Sequence, residues 1–549
     1  MRLLLRVVAL LAWLAAQRGI AAPPVVQDDA NQLGKALYRD GLLASGEPLR
    51  ASVQKGVMLS GRDAACVKCH RRSGLGGGEG QNRIRPISGR HLFAQPELDR
   101  WARNGAPGIR ATTRPVYTRA ALSRALREGV DPEGRRLDPL MPRYDLSDAE
   151  VAALHAYLET LASPAAPGVS DSELHFATII TPDADPAKSR AMLEVLQAFF
   201  SDKNGGTRKE TRRREVGSEQ MYRVYKTWVL HPWQLSGAPE TWGGQLQAYY
   251  RKQPVFAVIG GMGSRSWQPV HAFCEERELP CVFPDVDYPE AAATGHYSLY
   301  FSRGVTLEAE VLAKRLAESE QPGKPGSIVQ VFRDDAAGRG VARDFREALR
   351  RRGIAGVADH PVAAEGAVPG DFWSTLLRTA RPKQLVLWLD AAAAANLGLA
   401  GAAPADLEAV YLSASLSAMR HGSLPADWLD KLRMVYPFDL PEARERQLAR
   451  MKAWLRLRKV AFSDERAQAN AYFAATVAGD AISHMGDNFS RDYLIERIEQ
   501  MAGSTLFTSI YPHLSLGPGQ RFASRGAYVV SFPSGDAAAP VPVSDWTIP

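Results

Sequence analysis

Apolar positions along the chain change their spacing near residue 175. Before this point they recur at helical intervals, and two stripes stand out, Leu33, Leu37 and Tyr38, then Val151, Leu154, Leu158 and Leu161. Asp28 and Asp29 are candidate caps of the first helix. Ser147 and Glu150 have the spacing of a capping box that opens the second helix. The first part of the chain is therefore predicted to be all-α.

From Phe176 onward, short apolar runs alternate with amphipathic stretches. The predicted strands are 176–181, 256–260, 281–284, 327–332, 384–390 and 409–413, and the predicted helices between them include 188–200, 266–279 and 341–351. Alternating strands and helices indicate parallel sheets covered by helices on both faces. About 375 residues are too many for one small sheet, so we expect an α/β fold of two lobes. Residues 163–174, rich in Pro, Ala, Gly and Ser, are predicted to be a linker.

The N-terminus has the layout of an export signal. Arg2 and Arg6 precede an apolar run at 7–16, and small residues up to Ala21 offer a cleavage site. Residues 1–22 are predicted to be a signal peptide, because the run is short for a membrane span. The alternative is an uncleaved N-terminal anchor. Either way, the rest of the chain is expected in the periplasm, where disulfides persist.

Cys66, Cys69 and His70 form a C-x-x-C-H motif, which is the spacing of c-type haem attachment. A thioredoxin-like pair would need a βαβ pattern around it, and a zinc site would need two more ligands at matching spacing. Neither is found near the motif. We therefore expect one covalently attached haem c, with His70 as an axial ligand of the iron.

Met141, just before the capped second helix, is the candidate for the other axial position. A thioether is a soft ligand that raises the haem potential, and a methionine–histidine pair suits electron transfer. Taken alone, a methionine is more often core filler. His91 and His155 are rival ligands, with His155 expected to be exposed. An open sixth position would instead suit a peroxidase-type enzyme.

Residues 28–162 resemble the class I cytochrome c family. In that family the first and last helices cross at a Gly and an aromatic residue, which Gly34 and Tyr157 match. The segment 85–89 is similar to the family's loop after the haem motif, in which a proline carbonyl accepts a hydrogen bond from the axial histidine. The resemblance thus implies that Pro86 fixes the orientation of His70. It places the cytochrome domain at 23–162.

Residues 175–549 resemble type I periplasmic solute-binding proteins, the ABC-transporter receptors that bind leucine, isoleucine and valine. The stretch 254–267 followed by LPCVFPDVDYPE is similar to the family's strand, glycine turn, serine-rich helix start and next strand. Residues 327–353 are similar to the opening of the second lobe, and later segments to the closing helices and strands. The resemblance implies two lobes that hinge around a small molecule.

Four residues are candidate ligand contacts. Ser264 and Ser266 lie in a loop before a helix, where amides and hydroxyls favour an anionic group. The resemblance places the ligand's carboxylate there and makes Asp285 and Asp287 a second contact strip. The alternatives are a helix N-cap for Ser264 and solvated turn positions for the two aspartates.

Two positions depart from the family pattern. The tyrosine that covers the ligand falls near Ala337, and the acid that pairs with an amino group falls near Ser415. An α-amino acid would then lose the partner of its ammonium. The resemblance therefore leaves the ligand open among carboxylates, alcohol-derived compounds and aromatics.

Cys274 and Cys281 bracket the end of a predicted helix and the start of the next strand. In an exported protein, a nearby pair tends to oxidise, so we predict a disulfide. The alternative is two separate buried thiols.

Composition and net charge indicate which class of partner the protein binds. The chain has 549 residues, 45% of them hydrophobic, and a net charge of +7. Residues 23–162 carry +5, whereas the part after them carries −1. The basic run 208–214 lacks interleaved aromatics, so nucleic-acid binding is not expected. The charge instead suits an acidic redox partner.

These observations predict an exported electron carrier with a small-molecule-binding domain. The expected partners are a ligand of unknown identity, a dehydrogenase or another cytochrome, and a membrane permease. The chain is not expected to be an enzyme, since no nucleophile–base spacing is found in the α/β part. The other hypotheses are a transport receptor with an accessory cytochrome and a haem peroxidase.

Overall fold

The computed structural model describes residues 24–53, 56–79, 82–94, 115–161, 166–213, 226–289, 295–319, 327–417, 419, 424–504, 507–533 and 539–549. The chain divides into two compact units, Met1–Pro164 and Ala165–Pro549. The predicted signal at 1–22 lies outside the described residues. Within them, no helix has the length and apolar character needed to cross a membrane.

The first unit is mainly helical. Its helices are α1 (Pro24–Asp40), α2 (Val67–His70), α3 (Gly89–Leu92), α4 (Arg119–Arg127) and α5 (Asp148–Thr160). Its short strands are β1 (Arg50–Val53), β2 (Val57–Ser60), β3 (Gly77–Glu79), β4 (Asn82–Ile84) and β5 (Arg143–Tyr144). Strand β1 pairs antiparallel with both β2 and β5, while β3 and β4 form a separate hairpin. Helix α1 begins at Pro24, so the prediction that Asp28 and Asp29 cap it was wrong; both lie inside the helix.

Helices α1 and α5 pack directly against each other, as predicted. A Cβ atom at Gly34 would lie 2.2 Å from the Ala153 carbonyl oxygen and 2.6 Å from the Cβ of Tyr157. Only glycine permits this approach, and the rings of Tyr38 and Tyr157 meet beside it at 5.4 Å. The predicted capping box is confirmed: the Ser147 hydroxyl accepts from the Glu150 amide, and the Glu150 carboxylate accepts from the Ser147 amide.

The second unit alternates strands and helices. Its strands are β6 (Glu173–Ile180), β7 (Thr227–Gln234), β8 (Ala257–Ile259), β9 (Met262–Gly263), β10 (Cys281–Val282), β11 (Asp285–Val286), β12 (Ser298–Leu299), β13 (Ile328–Arg333), β14 (Val357–Val362), β15 (Gln384–Trp388), β16 (Ala409–Ser413), β17 (Leu432–Tyr436), β18 (Tyr528–Ser531) and β19 (Val541–Pro542). Its helices are α6 (Pro186–Arg213), α7 (Trp242–Lys252), α8 (Gln268–Glu276), α9 (Val305–Ser319), α10 (Ala336–Arg350), α11 (Gly370–Ala380), α12 (Ala391–Ala395), α13 (Ala426–Leu429), α14 (Pro441–Arg458), α15 (Glu465–Ser483) and α16 (Arg491–Met501).

These strands form two sheets, one for each lobe. The first lobe has the parallel order β11-β9-β6-β8-β10-β12, with β7 also paired to β6. The second has the order β14-β13-β15-β16-β17-β18-β19, parallel up to β17 and antiparallel for the last two strands. The two-lobed α/β prediction is thus confirmed. Parallel sheets place the carboxyl ends of several strands together, which is where ligands bind in such folds.

The central strands are apolar on both faces because helices cover both faces. Strands β8, β15 and β16 are buried along their whole length. The predicted linker 163–174 overlaps the start of this unit: β6 begins at Glu173, and Gly168, at φ 85°, lies against the backbone of Phe256.

Cys274 and Cys281 form a disulfide, as predicted, with their Cα atoms 6.3 Å apart. Both residues are buried. The bridge joins helix α8 to strand β10, and the alternative of two separate thiols was wrong.

Candidate functional site

The two remaining cysteines lie on one helical turn of the first unit. Cys66 is the N-cap of α2, and His70 is the last residue of that helix. The His70 amide donates to the Cys66 carbonyl at 2.9 Å, which fixes the turn. Cys66 is buried, Cys69 is exposed, and neither forms a disulfide. The turn therefore presents two thiols and an adjoining imidazole from one short segment.

The His70 ring is buried and oriented by a backbone carbonyl. Its Nδ1 lies 3.1 Å from the carbonyl oxygen of Arg85, and burial lowers the pKa of the imidazole. A neutral ring that donates from Nδ1 leaves Nε2 as a metal ligand. The prediction that Pro86 provides this carbonyl was wrong by one residue. Hydrogen bonds from the Gly76 amide to the His70 carbonyl and from the Ile87 amide to the Gly74 carbonyl position the Arg85 carbonyl at the ring.

Met141 lies partly buried against the core of the first unit. Strand β5 begins two residues after Met141, and its Tyr144 pairs with Ala51 of β1 in the small sheet. The Tyr144 hydroxyl donates to the Ala64 carbonyl at 3.1 Å and also contacts the Cys66 side chain. The structure thus brings the Met141 segment next to the C-x-x-C-H turn.

The two rival histidines have other contacts. His91 Nδ1 lies 2.7 Å from the Ser88 hydroxyl. His155 stacks on Phe93 with ring centroids 4.1 Å apart, and burial lowers its pKa. The prediction of an exposed His155 was wrong, because its helix turns this ring toward Phe93.

The residues present fit a covalently attached haem. The donor set is two thiols and a neutral, carbonyl-oriented imidazole on one turn, with a thioether in a neighbouring segment, and thiols, imidazole and thioether are the groups that hold haem c. When bound, the haem supplies one-electron redox chemistry.

In the second unit, Ser264 and Ser266 lie half-buried in the turn between β9 and α8. Trp267 is the N-cap of α8, so the alternative role of Ser264 as a helix cap was wrong. The Arg265 amide between the two serines donates to Asp183 Oδ2 at 2.6 Å, and the Thr181 hydroxyl donates to the other oxygen of that carboxylate. The chain's own Asp183 therefore binds the loop that was predicted to hold an anionic ligand group.

Asp285 and Asp287 come together on one guanidinium. Arg466, at the start of α15, reaches Asp285 Oδ1 at 2.7 Å from Nη2 and Asp287 Oδ1 at 2.8 Å from Nη1. Arg466 and Asp285 are almost completely buried, so the alternative of solvated turn positions was wrong. Burial raises the pKa of Asp287, and the Arg466 charge opposes that rise.

Sequence reasoning missed the groups that complete this cluster. Arg466 Nη1 also donates to the Ser415 carbonyl at 3.2 Å, and the Ser415 amide donates to Glu308 Oε1 at 3.1 Å. Helix α9 thus places the Glu308 carboxylate beside Ser415, the position at which the family's acid is missing from this sequence. Ala337 lies in the first turn of α10. The sequence feature that could have revealed this cluster is Arg466, a charged residue at the start of a mainly apolar helix.

Comparison with known proteins agrees with this architecture. A sequence profile of the periplasmic binding protein family matches residues 236–536, and one of the cytochrome c family matches 53–162. No curated protein matches the chain in sequence. A branched-chain amino acid ABC transporter protein from Thermus thermophilus with bound valine is 11% identical, with 69% of this chain and 98% of that one covered and a TM-score of 0.51. A substrate-binding protein from Aeropyrum pernix is 13% identical, with 69% and 96% covered and a TM-score of 0.51.

These similarities establish the fold and the coarse chemistry. A cytochrome c domain implies a covalently bound haem c, and a substrate-binding domain implies a small-molecule ligand. Neither domain type is an enzyme, and the binding-protein family is exported. The chain belongs to the periplasmic binding protein family and carries a cytochrome c domain before its binding domain.

Proposed function

We propose that this protein is a periplasmic one-electron carrier whose binding domain takes up a small molecule between its two lobes. The observation that carries the proposal is the buried His70 ring, held by the Arg85 carbonyl beside Cys66 and Cys69. The two thiols would attach one haem c, and His70 would ligate its iron. The rigid turn would hold this ligand in one orientation, which favours fast electron transfer with little rearrangement.

Met141 is the proposed second axial ligand. A methionine–histidine pair leaves no open position on the iron and so favours electron transfer over peroxidase chemistry. The segment is held by the β1–β5 pairing and by Tyr144, which limits its freedom to leave the motif.

Replacing Met141 with leucine tests this function. Leucine keeps the volume but removes the sulfur, so the oxidised protein should lose its methionine–iron absorption band and its midpoint potential should fall. Intact mass should show one haem in both the parent and the variant. The matched control is Met58→Leu, because Met58 is 64% exposed on β2 and has no proposed role. A band that survives Met141→Leu, or disappears in Met58→Leu, would show that Met141 is not the ligand.

The binding domain would couple ligand recognition to electron transfer. The proposed redox partner is a dehydrogenase or another cytochrome, and the +5 charge of residues 23–162 favours an acidic docking surface on it. Closure of the lobes on a ligand would change this docking. We expect a saturating ligand to change the haem potential or the rate of electron transfer to the partner. Stopped-flow traces and potentials that stay the same with and without ligand would refute the coupling.

A second candidate is a receptor of a transport system with an accessory cytochrome. It is favoured by the family profile, which covers most of the second unit. It requires a permease that the closed, ligand-bound lobes contact, whether or not the haem is reduced.

A further inference from the structure

The two lobes of the second unit meet at a buried polar cluster. Arg466 joins Asp285 and Asp287 of the first lobe to the Ser415 carbonyl at the end of β16 in the second lobe. These groups lie at the carboxyl ends of parallel strands, where the ligand of such a fold binds.

Glu308 adds a third carboxylate to this cluster. The residue has no exposed surface, and its Oε1 accepts from the Ser415 amide at 3.1 Å. Its Oε2 is buried and, among the described residues, accepts no hydrogen bond, although the Ser413 and Ser415 hydroxyls lie close to the carboxyl group. A buried carboxylate oxygen without a donor is unfavourable by about 1–3 kcal/mol or more. A ligand group that brings a donor would satisfy this oxygen, and a positively charged donor would also stabilise the ionised carboxylate.

The loop that contains Ser264 and Ser266 already binds an anionic group, the carboxylate of Asp183. The Arg265 amide and the Thr181 hydroxyl both donate to the Asp183 carboxylate. The Arg265 side chain extends across to the second lobe, where its guanidinium lies 3.2 Å from Glu365 and 3.8 Å from Asp335. A ligand carboxylate would have to displace Asp183 and would meet two more acids.

The partly buried Tyr288 side chain lies among charged groups of both lobes. Its electrostatic neighbours are the carboxylates of Asp287, Glu308 and Asp335 and the Arg265 guanidinium. Acidic groups outnumber basic ones around this side chain, and a local negative potential between low-dielectric walls attracts cations.

We propose that the ligand is a cationic amine without a carboxylate, and that Glu308 binds its ammonium group through Oε2. This inference rests on the proposed binding of a small molecule between the lobes and adds the chemical class. It reverses the expectation drawn from the position of Ser415, because α9 supplies the acid that β16 lacks. The chain's own Asp183 takes the place that a ligand carboxylate would occupy.

The test compares matched compounds on the full-length haem protein. Benzylamine, benzyl alcohol and benzoate share one skeleton, and butylamine, butanol and butyrate share another. Nine of the 11 tryptophans lie in the second unit, so thermal unfolding followed by tryptophan fluorescence reports on that unit. We expect only the amines to raise the unfolding temperature, because a ligand that binds the folded state stabilises it.

Glu308→Gln should weaken amine binding about tenfold or more in calorimetric titrations, because the amide keeps the shape but lacks the charge. The matched control is Glu310→Gln, two positions along the same helix. The Glu310 carboxylate is paired with Arg303 at 2.7 Å and takes no part in the cluster. The Glu310→Gln variant should bind amines as the parent does. Both variants should give the far-ultraviolet circular dichroism spectrum of the parent.

The outcomes separate this inference from the proposed function. Binding of benzoate, butyrate or the alcohols instead of the amines would overturn the amine class and leave ligand binding between the lobes intact. Equal weakening in Glu308→Gln and Glu310→Gln would overturn the role of Glu308. A parent protein that binds none of the six compounds would overturn the amine class, and no binding in a wider screen would then count against the proposed function as well.

Discussion

Arg466→Met is expected to lower the free energy of unfolding of the second unit by about 3–5 kcal/mol. Arg466 is 7% exposed and pairs with Asp285 and Asp287, so its removal leaves two carboxylates close together without a countercharge. It also removes the donor to the Ser415 carbonyl at the junction of the lobes. Methionine fills most of the volume, so the loss reports on charge rather than on a cavity.

Urea denaturation followed by tryptophan fluorescence measures this loss, since most tryptophans lie in the second unit. The control is Arg446→Met on α14, where the arginine is exposed, and a change within about 0.5 kcal/mol is expected. Adding Asp285→Asn and Asp287→Asn to the Arg466→Met protein should restore much of the stability. A loss below about 1 kcal/mol, or no recovery in the triple variant, would mean that water screens this cluster in solution.

The sequence predicts the parts of this protein that local physics determines. The Gly34–Tyr157 helix crossing follows from apolar spacing and one small residue, and the Ser147 capping box follows from a four-residue pattern. Strands such as Ala409–Ser413 are recognisable because a strand covered on both faces must be apolar throughout. The Cys274–Cys281 bridge is predictable because both residues lie at neighbouring element ends.

The candidate ligand site was harder to predict because it depends on contacts distant in sequence. Arg466 lies about 180 residues beyond Asp285, and neither position alone shows that they pair. Glu308 looks like an ordinary acid in the first turn of a helix until the fold places it against Ser415. The same reason explains why the carbonyl that contacts His70 belongs to Arg85 and not to the predicted Pro86. Loop hydrogen bonds set which carbonyl faces the ring, and the sequence pattern does not reveal them.

The free energy of unfolding of the second unit should depend on pH through the titration of Glu308. Burial raises the pKa of this carboxyl group to about 7, although Ser413, Ser415 and Arg466 lower it in part. Tyr288, which packs against the second lobe, and Asp287 lie in the same cluster. A folded pKa above the ordinary value of 4.5 means that the folded state binds this proton more tightly than the unfolded chain. The stabilising effect is therefore complete below about pH 4.5 and is lost as the pH rises through 7.

Glu308→Gln isolates this effect, because glutamine resembles the protonated acid at every pH. In the absence of ligand, we expect the parent and the variant to be about equally stable near pH 4.5, whereas at pH 8 the variant should be more stable by up to about 3 kcal/mol. Urea denaturation at a series of pH values measures the difference, in which the titration of all other groups largely cancels. Glu310→Gln should gain no such advantage as the pH rises. A constant difference between Glu308→Gln and the parent across this range would show that Glu308 ionises freely in the folded protein, and the buried, donor-poor position assigned to it would then be wrong.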